Sequence, residues 1–272
     1  LDISLQIFLM CLALGAVVGF LAGLLGIGGG LVIVPALILM LPLTGIAPDA
    51  LMPVVLATSL AAIVLTAIST LLTHYRKRNI PRFFLPQMLI GVGTGGLAGG
   101  YFADLIPSDY LQILFAVFAM LMAVQMWHGS KKIEGEYIER PEYSSVTLTV
   151  VCFIIGVIAS LLGIGGGVLL VPFLTSVVKL DMRRSIGASA AVGFAVAAMG
   201  SIGYLGAGLN SSIALPTWSL GYIYLPALLG IICLSMFTAP LGVSVAQRLP
   251  VKVLKRCFSV LLFIVAAEII FS

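Results

Sequence analysis

The sequence predicts an all-α polytopic membrane protein made of two inverted-topology repeats, each a glycine-broken helical hairpin followed by three transmembrane helices. Three observations lead there: the apolar composition, a duplicated glycine motif, and the placement of basic residues in the connecting loops. Of 272 residues, 61% are hydrophobic and 9% charged, with a mean hydropathy of +1.22. Soluble chains carry about a quarter charged residues. The formal charge of +4 gathers in loops rather than in a basic face, and nucleic-acid binding has no support.

Apolar runs cover approximately 4–40, 51–73, 84–103, 110–128, 145–178, 185–206, 222–247 and 257–272, all uncharged except the last, which contains Glu268 close to its end. Most reach the roughly 20 residues that a helix needs to cross the hydrocarbon layer. Asp2 stands where a cleaved leader would carry basic residues, and the first run does not stop at a cleavage site, so that run is expected to be mature structure. Cys11, Cys152, Cys233 and Cys257 lie scattered in spans without CxxC spacing and read as small apolar filler.

The stretch GLLGIGGGLVIVP, Gly23 to Pro35, returns as SLLGIGGGVLLVP, Ser160 to Pro172, with nine of thirteen positions identical. ATS at 57–59 answers GAS at 187–189, and LP at 85–86 answers LP at 225–226. The chain is therefore read as an internal duplication: 1–130 the first repeat, 131–144 a charged cytoplasmic linker, 145–272 the second.

Orientation follows from basic residues, which favour the cytoplasmic side. The loop HYRKRNIPR at 74–82 is then inside, while 41–50 and 104–110, without Lys or Arg, are outside. Were 145–178 a single span, Lys179, Arg183, Arg184, Arg248, Lys252, Lys255 and Arg256 would all lie outside. If the run instead folds back at its GIGGG, every basic loop becomes cytoplasmic and the uncharged 207–221 becomes external. Each half then crosses an odd number of times, so the halves face opposite ways, as in secondary transporters.

Glycine costs a helix interior about 1 kcal/mol relative to alanine, and lipid forbids unpaired backbone, so the breaks belong inside protein or beside a wet cavity. The segments resuming at Leu31 and Val168 begin with free N–H groups and the positive end of a helix dipole, which attract an anion. This makes Gly28, Gly29, Gly30, Gly165, Gly166 and Gly167 candidate substrate-binding residues; close helix packing is the competing role, and the one expected for Gly15, Gly19 and Gly23. No Lys-Ser/Thr follows the break, which argues against a nucleotide loop. Thr58, Ser59 and Ser189 join the candidates, the two serines because they occupy matching places in both repeats. Ser69, Thr70 and Ser201 are further polar residues within spans, whereas Gln87, Gln125 and Thr94 read as packing or interface residues. Arg183 and Arg184 are placed at a cytoplasmic vestibule that funnels anions, with topology signalling as the alternative role.

The paired GIGGGLVIVP and GIGGGVLLVP, followed by the ATS/GAS helix and separated by a charged linker, resemble the sulfite exporter TauE/SafE family over almost the whole chain. The resemblance implies a multi-pass protein of a bacterial inner membrane that moves sulfite, organosulfonates or related anions. The expected partners are a small anionic substrate and membrane lipid, with a homodimer as an option; no cofactor or metal is expected. An enzyme would need a base or metal set within a span, yet His74 and His128 lie at span ends and no carboxylate pair faces another there. An anion channel, and a permease for another small solute or metal ion, stay open as alternatives. The spans contain no carboxylate near mid-membrane, so no proton relay is evident and the membrane potential is the expected driving force.

Overall fold

The computed structural model describes residues 3–25, 29–76, 83–128, 144–180, 182–246 and 251–271. Their helices are α1 (Ile3–Leu25), α2 (Gly30–Met40), α3 (Pro48–Arg76), α4 (Leu85–Phe102) and α5 (Ser108–His128), then α6 (Ser145–Leu161), α7 (Gly167–Ser176), α8 (Met182–Asn210), α9 (Leu225–Ala246) and α10 (Val251–Phe271). Both long apolar runs divide at the glycine motif. Each half then follows one order: a helix, a short helix of 11 or 10 residues, a helix of 29 residues, and two more. Among the described residues, Pro48–Ile68, Ser108–Trp127 and Arg184–Asn210 are long and apolar enough to cross a membrane alone. The remaining apolar helical stretches are shorter. The two LP pairs open α4 and α9, where proline's missing N–H costs nothing. The linker at 131–143 lies outside the described residues.

The halves interlock through glycines. α1 packs along α9, and α4 packs along α6 and α8, so the first helix of each half seats on the fourth helix of the other. In α1, Gly15 and Gly19 meet the backbone of Ile231 and Ser235; in α4, Gly91, Gly95 and Gly99 meet that of Thr149, Phe153 and Val157. Any Cβ at these places would strike backbone, and such close approach is how helices gain contact where lipid supplies no hydrophobic drive. Cys11 and Cys152 are buried within the same packing, as filler should be.

Several connections gather at one end of the bundle. Ser108 Oγ, opening α5, donates to the Asp49 carbonyl in the first turn of α3 at 2.8 Å. Asp104, in a 3-10 turn after α4, meets Tyr222 from the α8–α9 connection. Near the other end of α5, Arg256 of α10 lies 5.8 Å over the Trp127 ring. One correction to the all-helical expectation sits in the α8–α9 connection: Ser219–Leu220 (β1) and Ile223–Tyr224 (β2) pair antiparallel. Glycine at 221 between aromatic and branched residues lets this apolar segment turn back on itself.

Candidate substrate site at the two glycine breaks

α2 and α7 start alike. Gly29 caps α2 at φ 73°, ψ −23°, and Gly166 caps α7 at φ 73°, ψ −19°. This left-handed backbone costs an L-residue with a Cβ about 1–2 kcal/mol, which is why glycine is needed there. Neither cap has a side-chain hydrogen bond. Gly29 O closes the first turn of α2 by accepting Val32 N and Ile33 N at 2.9 and 3.0 Å. The N–H groups of Gly30 and Leu31 therefore precede any intrahelical partner. In α7, Gly166 O accepts Leu169 N and Leu170 N, but Gly167 N already donates to Gly165 O at 2.9 Å. Pro35 and Pro172 sit inside these short helices, and each deprives the carbonyl four residues earlier, of Leu31 and of Val168, of its helical donor.

The breaks are inside protein: Gly29, Gly30, Gly163, Gly165 and Gly166 are buried. They also meet. A Cβ on Gly30 would lie 2.6 Å from the Gly163 carbonyl oxygen and 2.8 Å from Ile164 Cα, and one on Gly193 of α8 would lie 2.7 Å from Gly165 O. Counting along the flanking helices places the junction in depth. Ser59 is eleven residues from the start of α3 and Gly193 eleven from the start of α8, about 16 Å each at 1.5 Å per residue, which is near half of a roughly 30 Å hydrocarbon layer entered at those helix starts.

The hydroxyls hold the breaks. Ser59 Oγ donates to Gly163 O at 2.8 Å, and Ser189 Oγ to Gly167 O at 3.3 Å. A serine has one proton, so in this arrangement both act on the second break and neither has a proton left for an anion. Thr58 Oγ1 accepts Tyr224 N at 3.0 Å, and its own proton is not used in that bond. Ser201 and Thr94 bond carbonyls one turn back, the ordinary fate of such side chains. Gly28 and the side chain of Arg183 lie outside the described residues, as do those of Ser69 and Thr70. Arg184 is exposed at the start of α8, not gathered with the glycines.

Sequence reasoning passed over Ser160. It is fully buried, and its Oγ has no hydrogen-bond partner among the described residues. Tyr204, also fully buried, donates to the Ser160 carbonyl at 3.4 Å. The available signal was the alignment of the two motifs, where Ser160 takes the place of Gly23, so one repeat alone has a hydroxyl there. Among the described residues no group of three or more His, Cys, Asp or Glu is placed to hold a metal ion.

Apolar helices of spanning length, and short helices in both halves that start buried inside protein, define a multi-pass membrane protein of the transporter class. Comparison with known proteins gives the family. The chain belongs to the sulfite exporter TauE/SafE family, whose model matches residues 11–269. It is 37% identical over 262 residues to a probable membrane transporter protein of Haemophilus influenzae, covering 95% of this chain and 96% of that one. Probable membrane transporter protein YunE of Bacillus subtilis is 23% identical over 281 residues, covering 97% and 98% of the two chains. MJ0441 of Methanocaldococcus jannaschii, named likewise, is 28% identical over 264 residues, 94% of each chain. No solved structure matches the chain. Family and relatives make it a membrane transporter and indicate no catalytic activity.

Proposed function

We propose that the protein exports small sulfur-containing oxyanions, such as sulfite or organosulfonates, across a bacterial inner membrane by alternating access, holding the anion between the glycine breaks of two inverted repeats. One observation carries this: in both halves a buried helix begins at a left-handed glycine without a side-chain cap, and the two breaks touch through Gly30 and Gly163. Backbone N–H groups and two dipole ends aimed into protein favour an anion without any fixed cation. Ser59 and Ser189 serve as supports that keep the second break open to it. The family's description names sulfite, which supports a sulfur oxyanion as the cargo. Inversion of the repeats is supported by the connections 41–47, 103–107 and 211–224, which contain no Lys or Arg and share an end of the bundle through the Ser108–Asp49 and Tyr222–Asp104 bonds.

Thermal unfolding of the purified protein with sulfite, sulfate, thiosulfate, small sulfonates or chloride tests the reading. A true substrate at a hundred times its Kd stabilises by about 2.7 kcal/mol. Sulfite or a sulfonate should do so, chloride should not, and Gly29→Leu and Gly166→Leu should lose the effect while still inserting. Stabilisation that survives in both leucine variants would show that the glycines serve packing alone.

A further inference from the structure

Residues 211–224 do more than join α8 to α9. Gly221 takes the first place of the two-residue turn between β1 and β2 at φ 54°, the place type II′ turns reserve for glycine. The turn points inward: Tyr222, Ile223 and Tyr224 are buried, whereas Trp218 and Leu220 are exposed. Trp218 itself has φ 69°, and its carbonyl accepts Leu225 N at 3.1 Å, which ties the hairpin to the first residue of α9. On α8, Gly208 lets the backbone of Gly221 and Tyr222 lie directly against the helix.

Two polar ties cross from this hairpin to the first half of the chain. The Tyr222 hydroxyl donates to the Asp104 carboxylate, and Ser211 Oγ hydrogen-bonds the same phenolic oxygen at 3.0 Å. Tyr224 N donates to Thr58 Oγ1, and the next residue on α3, Ser59, donates to Gly163 O in the second break. Hairpin, α3 and break thus form one continuous chain of bonds, with the hairpin at the end where the connections without Lys or Arg gather.

We propose that the hairpin 218–224 is the external lid of the transport site, that the Asp104–Tyr222 bond is its latch, and that releasing this latch opens the site to the outside. The inference rests on the transporter reading above. It assigns Asp104, which lies well outside the glycine breaks, a part in access rather than in binding. It also gives Thr58 its role: the hydroxyl registers the lid against the helix that supports the break.

The test uses Ser59→Cys as a reporter in full-length protein whose four native cysteines are replaced by alanine, with a membrane-impermeant thiol reagent added to either face of oriented vesicles. Tyr222→Phe should speed modification from the face of the loops without Lys or Arg about tenfold or more, the factor expected for losing one hydrogen bond to a charged group. Asp104→Asn, which retains a neutral bond, should raise it less, and Ser211→Ala least. Trp218 gives an independent readout in a Trp127→Phe background, where acrylamide should quench its fluorescence more strongly once the latch is cut. Unchanged modification and quenching in both latch variants, or a gain confined to the opposite face, would overturn the lid. Sulfite efflux measured in parallel, in the same latch variants with Ser59 and the native cysteines retained, separates the two readings: faster modification in a protein that moves no sulfite leaves the lid and removes the substrate, whereas efflux with unchanged access does the reverse.

Discussion

Replacing Gly30 by alanine sets a methyl group 2.6 Å from Gly163 O and 2.8 Å from Ile164 Cα, where ordinary heavy-atom contact begins at about 3.5 Å. Both obstacles are backbone, so relief requires the second break to retreat from the first by several tenths of an ångström or more. Overpacking of this kind costs about 1–3 kcal/mol. Gly167 is the matching first residue of α7, yet a methyl group there meets only the Ser189 side-chain oxygen at 3.2 Å, a contact relieved by a shift of a few tenths of an ångström. Alanine also regains part of the roughly 1 kcal/mol by which glycine disfavours helix, so Gly167→Ala should come out within about 0.5 kcal/mol of wild type. Unfolding both variants in detergent, with and without sulfite, should show Gly30→Ala less stable than Gly167→Ala by about 2 kcal/mol, the middle of the overpacking range. Gly30→Ala should also lose most of its stabilisation by sulfite. Equal stability of the two variants would refute the argument that the breaks touch at Gly30.

Ser59→Ala should cost about 1 kcal/mol of stability, typical of one hydrogen bond, and Ser189→Ala less because its bond is longer at 3.3 Å; calorimetry of the two variants checks the order. The Tyr222 hydroxyl is pushed up to about 12, first by burial and then by the bond to Asp104. Folding therefore tightens this proton, its contribution is complete below the ordinary value of 10.0, and it is lost as pH rises toward 12. Melting curves across that window should fall more steeply for wild type than for Tyr222→Phe. A cysteine at Asn210 should react with an impermeant reagent from outside and one at Asp181 from the cytoplasm; reversed labelling would sink the inverted plan.

How much of this was legible depended on whether a residue acts through the backbone or through a distant partner. The breaks at Gly29 and Gly166 could be read directly, because tandem glycines in an apolar run have few other uses; the LP pairs were read only as echoes of the duplication, and the structure shows that they open α4 and α9. The anion-site reading of Ser59 and Ser189 met a limit that spacing does not reveal: a hydroxyl's single proton goes to whichever carbonyl is nearest in three dimensions. The seating of α4 on α6 was written in Gly91, Gly95 and Gly99 at four-residue spacing, yet the identity of the partner helix was not. The hairpin at 219–224 was hidden because its residues are apolar like the spans around them, and only Gly221 marks the turn. The latch joins residues 104 and 222, a pairing that no local pattern announces.

Sulfite flux in proteoliposomes under a controlled membrane potential tests transport through the glycine breaks most directly. With radiolabelled sulfite inside and an imposed inside-negative potassium-diffusion potential, each negative charge is driven outward by about 2.3 kcal/mol per 100 mV, and a divalent anion by roughly 4.6. Wild type should show saturable efflux that quickens with the potential, slows when the potential is collapsed at constant pH gradient, and is absent in Gly166→Leu. Efflux that follows the pH gradient and ignores voltage would contradict the proposed driving force, and efflux undiminished in Gly166→Leu would contradict the site at the glycine breaks.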